Sequence, residues 1–374
     1  MATVASALRI TTEHLAGELA NPRAAAPDWS EFEWRTARAV AAMHGISGLL
    51  ARELRWRGPN GWTQFLSEQR EHTADRQLRI QTLLAAIGER FQSRERPMAD
   101  LDLLTSPQQA AYAVEILESF GLHESHRSLK ERVFEARGTP EPRSLGEHAD
   151  NGIKVELHER ICERLPYRIT DISHLVSPRQ ARPGLNPYPS RAALMAHLLL
   201  HAAGGMAYRT LRLVQLHDIA LLARHLTPLD WQQFLDWRPW WAWPPLALVE
   251  RYYGAAGPQS VSAAARALCP PLLRRTCARQ CLTDVSMSHL WFEMLPGIEW
   301  ARSVGEAATF IARRLVPSAE VRADRTFAQT TDPALAHGDW GGLSQTRRIL
   351  RALRARTPRP WPPYNVRAAL AEPR

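Results

Sequence analysis

Lysine is almost missing from this chain: of 47 basic residues in 374, only Lys130 and Lys154 are lysines, and the rest are arginine. With abundant Ala, Leu and Pro, the skew reads as base-composition bias in the coding sequence rather than a selected cationic patch. A nucleic-acid site needs basic side chains gathered on one face. The densest group here is Arg347, Arg348, Arg351, Arg354, Arg356 and Arg359. It reads as a solvated helix face, with polyanion binding as the lesser alternative. The formal charge of +9 thus weighs little for nucleic acid as a partner, without excluding it. Long apolar runs are missing too: none approaches the roughly 18 residues that a membrane span needs, so no membrane partner is expected. Residues 1–19 carry Arg9, Glu13, His14 and Glu18 instead of a clean apolar stretch, which argues against a secretory signal and for the cytoplasm. Cysteine is scarce. The spacing of Cys162, Cys269, Cys277 and Cys281 fits no zinc pattern, and a disulfide framework is not expected. Cys277 and Cys281, one helical turn apart, are expected as buried small hydrophobes.

What is present is an ordinary globular composition, 45% hydrophobic and 23% charged, long enough for two or three domains. Residues 1–90 have helical periodicity, with Gly45 as a break, a turn at Gly58-Pro59-Asn60-Gly61, and a long helix from Gln64 to about Arg90. Residues 91–175 change character. A short strand at Leu101–Leu104 precedes a helix from Ser106-Pro107 to about Phe120, and strands are expected over Arg132–Ala136 and Gly152–His158. From Ser190 the pattern is helical again. Trp231, Trp237, Trp240, Trp241 and Trp243 read as a packed corner between helices, less readily as a stacking platform. The expected division is a helical region at 1–90, an α/β core at 91–175, a helical domain at 176–345, and a basic, Pro-rich tail at 346–374.

The chemistry-bearing feature is Asp100-Leu-Asp102, followed some fifty residues later by Val155-Glu156-Leu157-His158. Side chains alternate faces along a strand, so Asp100 and Asp102 share one face while Leu101 and Leu103 take the other. In the second strand Val155 and Leu157 would face the core, leaving Lys154, Glu156 and His158 opposite. Paired carboxylates with a third acid on another strand suit Mg²⁺ and phosphoryl or nucleotidyl transfer. Alone, the pair also fits a solvated strand edge, Glu156 a surface acid, and His158 a structural histidine. His197 and His201 share a helix face but lack a further ligand or a His-Glu-x-x-His pattern, so they read as core or surface histidines.

Several segments in consistent order resemble the uncharacterised nucleotidyltransferase family of the polymerase-beta-like superfamily. They are Trp34–Leu54 with its Met43-His-Gly-Ile-Ser-Gly-Leu-Leu50 core, Arg96–Leu104, Val155–His158, His197-Leu-Leu-Leu-His201, Leu211–Ala220 and Arg314–Ser318. The resemblance implies an α+β, helix-rich fold: a small mixed sheet flanked by N-terminal and C-terminal helical regions. It implies transfer of a nucleoside monophosphate from an NTP to an acceptor hydroxyl, dependent on Mg²⁺ or Mn²⁺. By position, Asp100, Asp102 and Glu156 would be the catalytic metal ligands, and His158 would touch substrate or cofactor, as would Arg96 at the head of its segment. One element of the family pattern is missing. A strand ending in Lys-Gly and a helix usually precede Arg-Pro-x-x-Asp-x-Asp, yet 91–98 leaves no room for them and contains no lysine. Ile87-Gly88-Glu89, ten intervening residues before Asp100, has the spacing of the superfamily's phosphate-binding turn, but Glu89 would bring an anion toward phosphates. The alternative is a degenerate, non-catalytic binding protein that keeps the fold and has lost that turn.

Overall fold

One of the N-terminal helices starts where capping chemistry places it. Helix α1 (Ala2–Ala20) leads into α2 (Glu31–Met43), whose N-cap Ser30 and N3 residue Glu33 form a reciprocal capping box. Gly45, at φ +66°, breaks the run as its position suggested, and α3 (Ser47–Glu53) follows. Helix α4 then spans 32 residues, Asn60–Phe91. The structure is a computed structural model. It describes residues 2–91, 101–128, 130–138, 146–177, 187–319, 321–323, 326, 342–354, 358–359, 362 and 365–366.

A four-stranded mixed sheet follows, made of β1 (Leu101–Leu104), β2 (Leu122–Arg127), β3 (Glu131–Ala136) and β4 (Val155–His158). Its order is β1-β4-β3-β2; β1 runs parallel to β4, and the other neighbours are antiparallel. The first two expected strands hold, with β4 beginning at Val155 rather than Gly152. Helix α5 covers Ala110–Ser119, starting later than Ser106-Pro107 implied. Strand β2 was not expected, because Leu122-His-Glu-Ser-His-Arg buries only its first residue and shows no apolar alternation. One face of the sheet makes a small core of Leu101, Leu103, Phe134, Val155 and Leu157, packed against Ala113 and Leu117 of α5 and Ile80 of α4. The hairpin β5 (Cys162–Arg164) and β6 (Ile169–Asp171) leads by α6 (Ser173–Val176) into the second helical body.

That body contains α7 (Arg191–Tyr208), capped by Ser190, α8 (Leu213–Ala223), α9 (Pro228–Asp236), α10 (Trp243–Tyr253), α11 (Gln259–Leu268), α12 (Pro271–Cys277) and α13 (Leu282–Val285). Beyond it lie α14 (Val304–Leu315) and α15 (Gln345–Leu353). The fold is thus the helix-rich α+β arrangement expected, with helices on both sides of a small mixed sheet. The tryptophan corner is core: Trp231, Trp241 and Trp243 are buried, and Trp237 and Trp240 pack on them. All four cysteines are buried and free. Among the described residues no helix is long and apolar enough to cross a membrane. Arg359 departs from the solvated-face reading. It is buried and donates from Nη1 to the carbonyls of Arg209 (2.9 Å) and Ser286 (3.2 Å), and burial lowers its guanidinium to about 10.

His44 joins the N-terminal helices to this body. Its ring is fully buried; Nδ1 accepts from the Leu213 amide at 3.1 Å and Nε2 meets Ser288 Oγ at 3.0 Å. Thr12 of α1 donates to the same serine oxygen at 2.8 Å. A second ring proton would point at the Leu213 N–H, so the neutral form is the one that fits. Burial first, then the charge of Arg212, lowers His44 to about 3. Because the unfolded chain binds this proton near pH 6.5 and the folded one near 3, the stabilisation is complete above 6.5 and shrinks as pH falls toward 3. Urea unfolding of wild type and His44→Gln should show the variant's deficit narrowing by about 2 kcal/mol between pH 7 and pH 4.5. A deficit constant over that range would refute the neutral assignment.

Candidate active site

Strand register builds the site. Asp102 of β1 lies opposite Glu156 of β4, and Glu131 of β3 lies opposite His158 of β4. Residues directly across a ladder share a face, and Glu156 and His158 are two apart on one strand. The sheet therefore presents Asp102, Glu156, His158 and Glu131 together, while Leu101, Leu103, Val155 and Leu157 fill the core behind. The alternation read from the sequence carries through for Asp102, Glu156 and His158. Asp100 and Arg96 lie outside the described residues. Gly88 lies within the last turns of α4 and not in a turn between a strand and a helix.

His158 Nε2 sits 3.3 Å from Asp102 Oδ1 and 3.6 Å from Glu156 Oε2. One ligand atom from each of these three residues can be chosen so that all lie within 4.8 Å of one another. Burial acts to lower His158, but its contacts with Asp102 and Glu156 and the charge of Glu131 outweigh it and push the imidazole up to about 10. The contact with His158 comes first in drawing the Glu156 carboxyl below its usual range, against opposing burial; Asp102 and the charge of His201 add to it. Glu131 is raised, first by burial and then by the negative charge of Glu156 and Asp102. Carboxylates crowded this closely repel one another and need a positive charge between them. A protonated histidine meets that need in the bare site, and a divalent cation meets it equally well. Two carboxylate oxygens are a fitting start for Mg²⁺ or Mn²⁺, with water and phosphate oxygens completing the shell, and an imidazole is tolerated better by Mn²⁺.

Glu131 went unnoticed in the sequence because the strand was expected to start at Arg132; extending the alternation by one residue would have included it. A neighbouring cluster carried no spacing signal at all. Glu163 of β5, only 5% exposed, accepts from Lys130 Nζ with Oε2, and its Oε1 lies 3.3 Å from His201 Nδ1 on α7. Its carboxylate lies against the backbone of α7 where Gly204 leaves room: a Cβ there would fall 2.3 Å from Oε2. His197, four residues before His201, instead meets the Tyr188 hydroxyl. The two histidines do not share a ligand site.

Fold and site together define a class: a small mixed sheet, set between helical regions, that collects carboxylates from adjacent strands on one face. Residues 92–238 match the model of a family described as an uncharacterised nucleotidyltransferase. The match takes in the whole sheet, the Glu163 hairpin and α7 to α9, and it bears out the resemblance read from the sequence. No curated protein and no solved structure matched the chain.

Proposed function

We propose that the protein transfers a nucleoside monophosphate from an NTP to an acceptor hydroxyl, at the face of the sheet bearing Asp102 and Glu156. The observation that carries this reading is the in-register placement of those two carboxylates on adjacent strands, inside the segment that matches the family. Asp102 and Glu156 would hold Mg²⁺ or Mn²⁺, with Asp100 as their expected companion. The ion, when bound, offsets phosphate charge and polarises the α-phosphoryl group. The acceptor hydroxyl loses its proton toward Glu156 as its oxygen bonds to the α-phosphorus, and the bond to the bridging oxygen breaks to release pyrophosphate. His158 orients both acids from between them. In this reading residues 91–175 form the transfer core and 176–345 the helical domain flanking it. The helical place of Gly88 agrees with the lost turn of the non-catalytic alternative, but the in-register acids support transfer.

Incubating the purified protein with Mg²⁺ or Mn²⁺, α-labelled NTPs and a cell extract tests the reading. Label is expected on an acceptor, with stoichiometric pyrophosphate. The absence of both with every nucleotide would sink it.

A further inference from the structure

One divalent ion does not neutralise a nucleoside triphosphate, and ionised carboxylates only accept hydrogen bonds, so the phosphates need donors from other residues. Gly88 offers none from a turn, since its backbone belongs to the helical ladder of α4. We propose that Lys130 and His201, held in place by the buried Glu163 carboxylate, form the phosphate-binding side of the site and take the triphosphate of the nucleotide. This rests on the transfer reading above and goes beyond it by naming the residues that bind the nucleotide's phosphates.

Position comes first. Lys130 immediately precedes Glu131, which lies across from His158, and its charge reaches the Glu131 carboxyl. His201 is near enough to help hold Glu156 down. The Lys130 and His201 side chains thus border the acids from the turn before β3 and from α7, where phosphates bridging from a metal would extend.

Construction comes second. Glu163 is the buried member of the cluster, whereas the Lys130 and His201 side chains are 34% and 58% exposed. An ammonium has three donors. Among the described residues only Glu163 takes one from Lys130, and only Glu163 meets a ring nitrogen of His201. Both partners of the buried carboxylate thus keep solvent-accessible side chains. Residue type is the third observation. In a chain that uses arginine nearly everywhere, Lys130 keeps a compact point charge on a flexible stem, the form in which lysine binds phosphate.

The test uses probes that need no turnover. Binding of inorganic tripolyphosphate, ATP and inorganic phosphate, each with Mg²⁺, is measured by calorimetry on the full chain. The panel is wild type, Lys130→Met, His201→Ala and Lys154→Met. Lys154 pairs with Glu135 on the same sheet and serves as the charge-matched control. Lys130→Met is expected to weaken tripolyphosphate and ATP at least about tenfold and His201→Ala several-fold, with Lys154→Met unchanged. The double variant Lys130→Met/Glu163→Gln removes the charge without stranding a buried carboxylate. It should show the same loss with an unchanged melting temperature. Equal affinities across the panel, no tripolyphosphate binding by wild type, or a loss confined to inorganic phosphate would overturn the proposal. Tripolyphosphate bound through Lys130 without any labelled product would sink the transfer reading alone. Product formed with an unchanged KM for NTP in Lys130→Met would sink this inference alone.

Discussion

Asp102→Asn is expected to abolish product formation and to leave the protein folded. The substitution keeps shape and hydrogen-bonding capacity but removes one of the two described carboxylates that would hold the ion. Losing a residue that merely supports a ligand costs about 10–100-fold in metal affinity or activity, so losing a ligand should cost more, at least about a hundredfold in kcat/KM. Stability should move little. Asp102 sits at the exposed face, its side chain 30% accessible, and Glu156 remains at 3.6 Å to partner His158. Removing one of several crowded carboxylates also relieves repulsion. Glu156→Gln should behave in the same way. Titrating Mn²⁺ by electron paramagnetic resonance, alongside thermal melting, separates the two effects. Unchanged Mn²⁺ affinity and unchanged labelling in both variants would remove the acids from the site.

The opposite profile, lost stability, is expected at Arg209. This residue follows α7 in the left-handed region at φ +59°, with a side chain only 7% exposed. Its Nη1 donates to Glu299 Oε1 at 2.9 Å and to the Met206 carbonyl at 2.9 Å, and Nε donates to Glu293 Oε2 at 3.0 Å. Glu299 is equally buried. Burial alone would lower the Arg209 guanidinium, yet these acids leave it raised. Arg209→Met strands a buried carboxylate and should destabilise by about 3–5 kcal/mol. Arg209→Met/Glu299→Gln should recover a large share, because the cost lies in the unpaired charge more than in the lost contact. Urea midpoints of the three proteins decide it. A single-variant loss below about 1 kcal/mol, or a double variant worse than the single, would count against the pairing.

Much of the carboxylate cluster was legible because β1 and β4 alternate faces with period two, and because their acids fall at the positions that pairing aligns. The proposed phosphate-binding cluster was not. Lys130, Glu163 and His201 come from the turn before β3, from β5 and from α7, separated by 33 and 38 residues, and only tertiary packing brings them together. Strand β2 escaped because it is polar on both faces. Strands β5 and β6 escaped because three residues are too few to show a period. Arg359 read as one more solvated arginine, since sequence says nothing about two distant carbonyls waiting for a donor. Helix α7 was the easy element, announced by Ser190 at its cap.

The ties of α1 bear on the order in which the chain folds as it leaves the ribosome. Thr12 meets Ser288 across 276 residues, Glu13 accepts from Thr283 across 270, and Arg9 pairs with Asp284 across 275. None of these can form until nearly three hundred residues have been synthesised. The sheet asks far less of the chain: Asp102 and His158 meet across 56, and the core behind them closes with Leu157. Contacts of short separation carry the smaller entropic barrier, and domains emerge from the amino end first. The carboxylate-bearing sheet is therefore expected to assemble early, and the helical body, which needs α1 and then Arg359, to be completed after it.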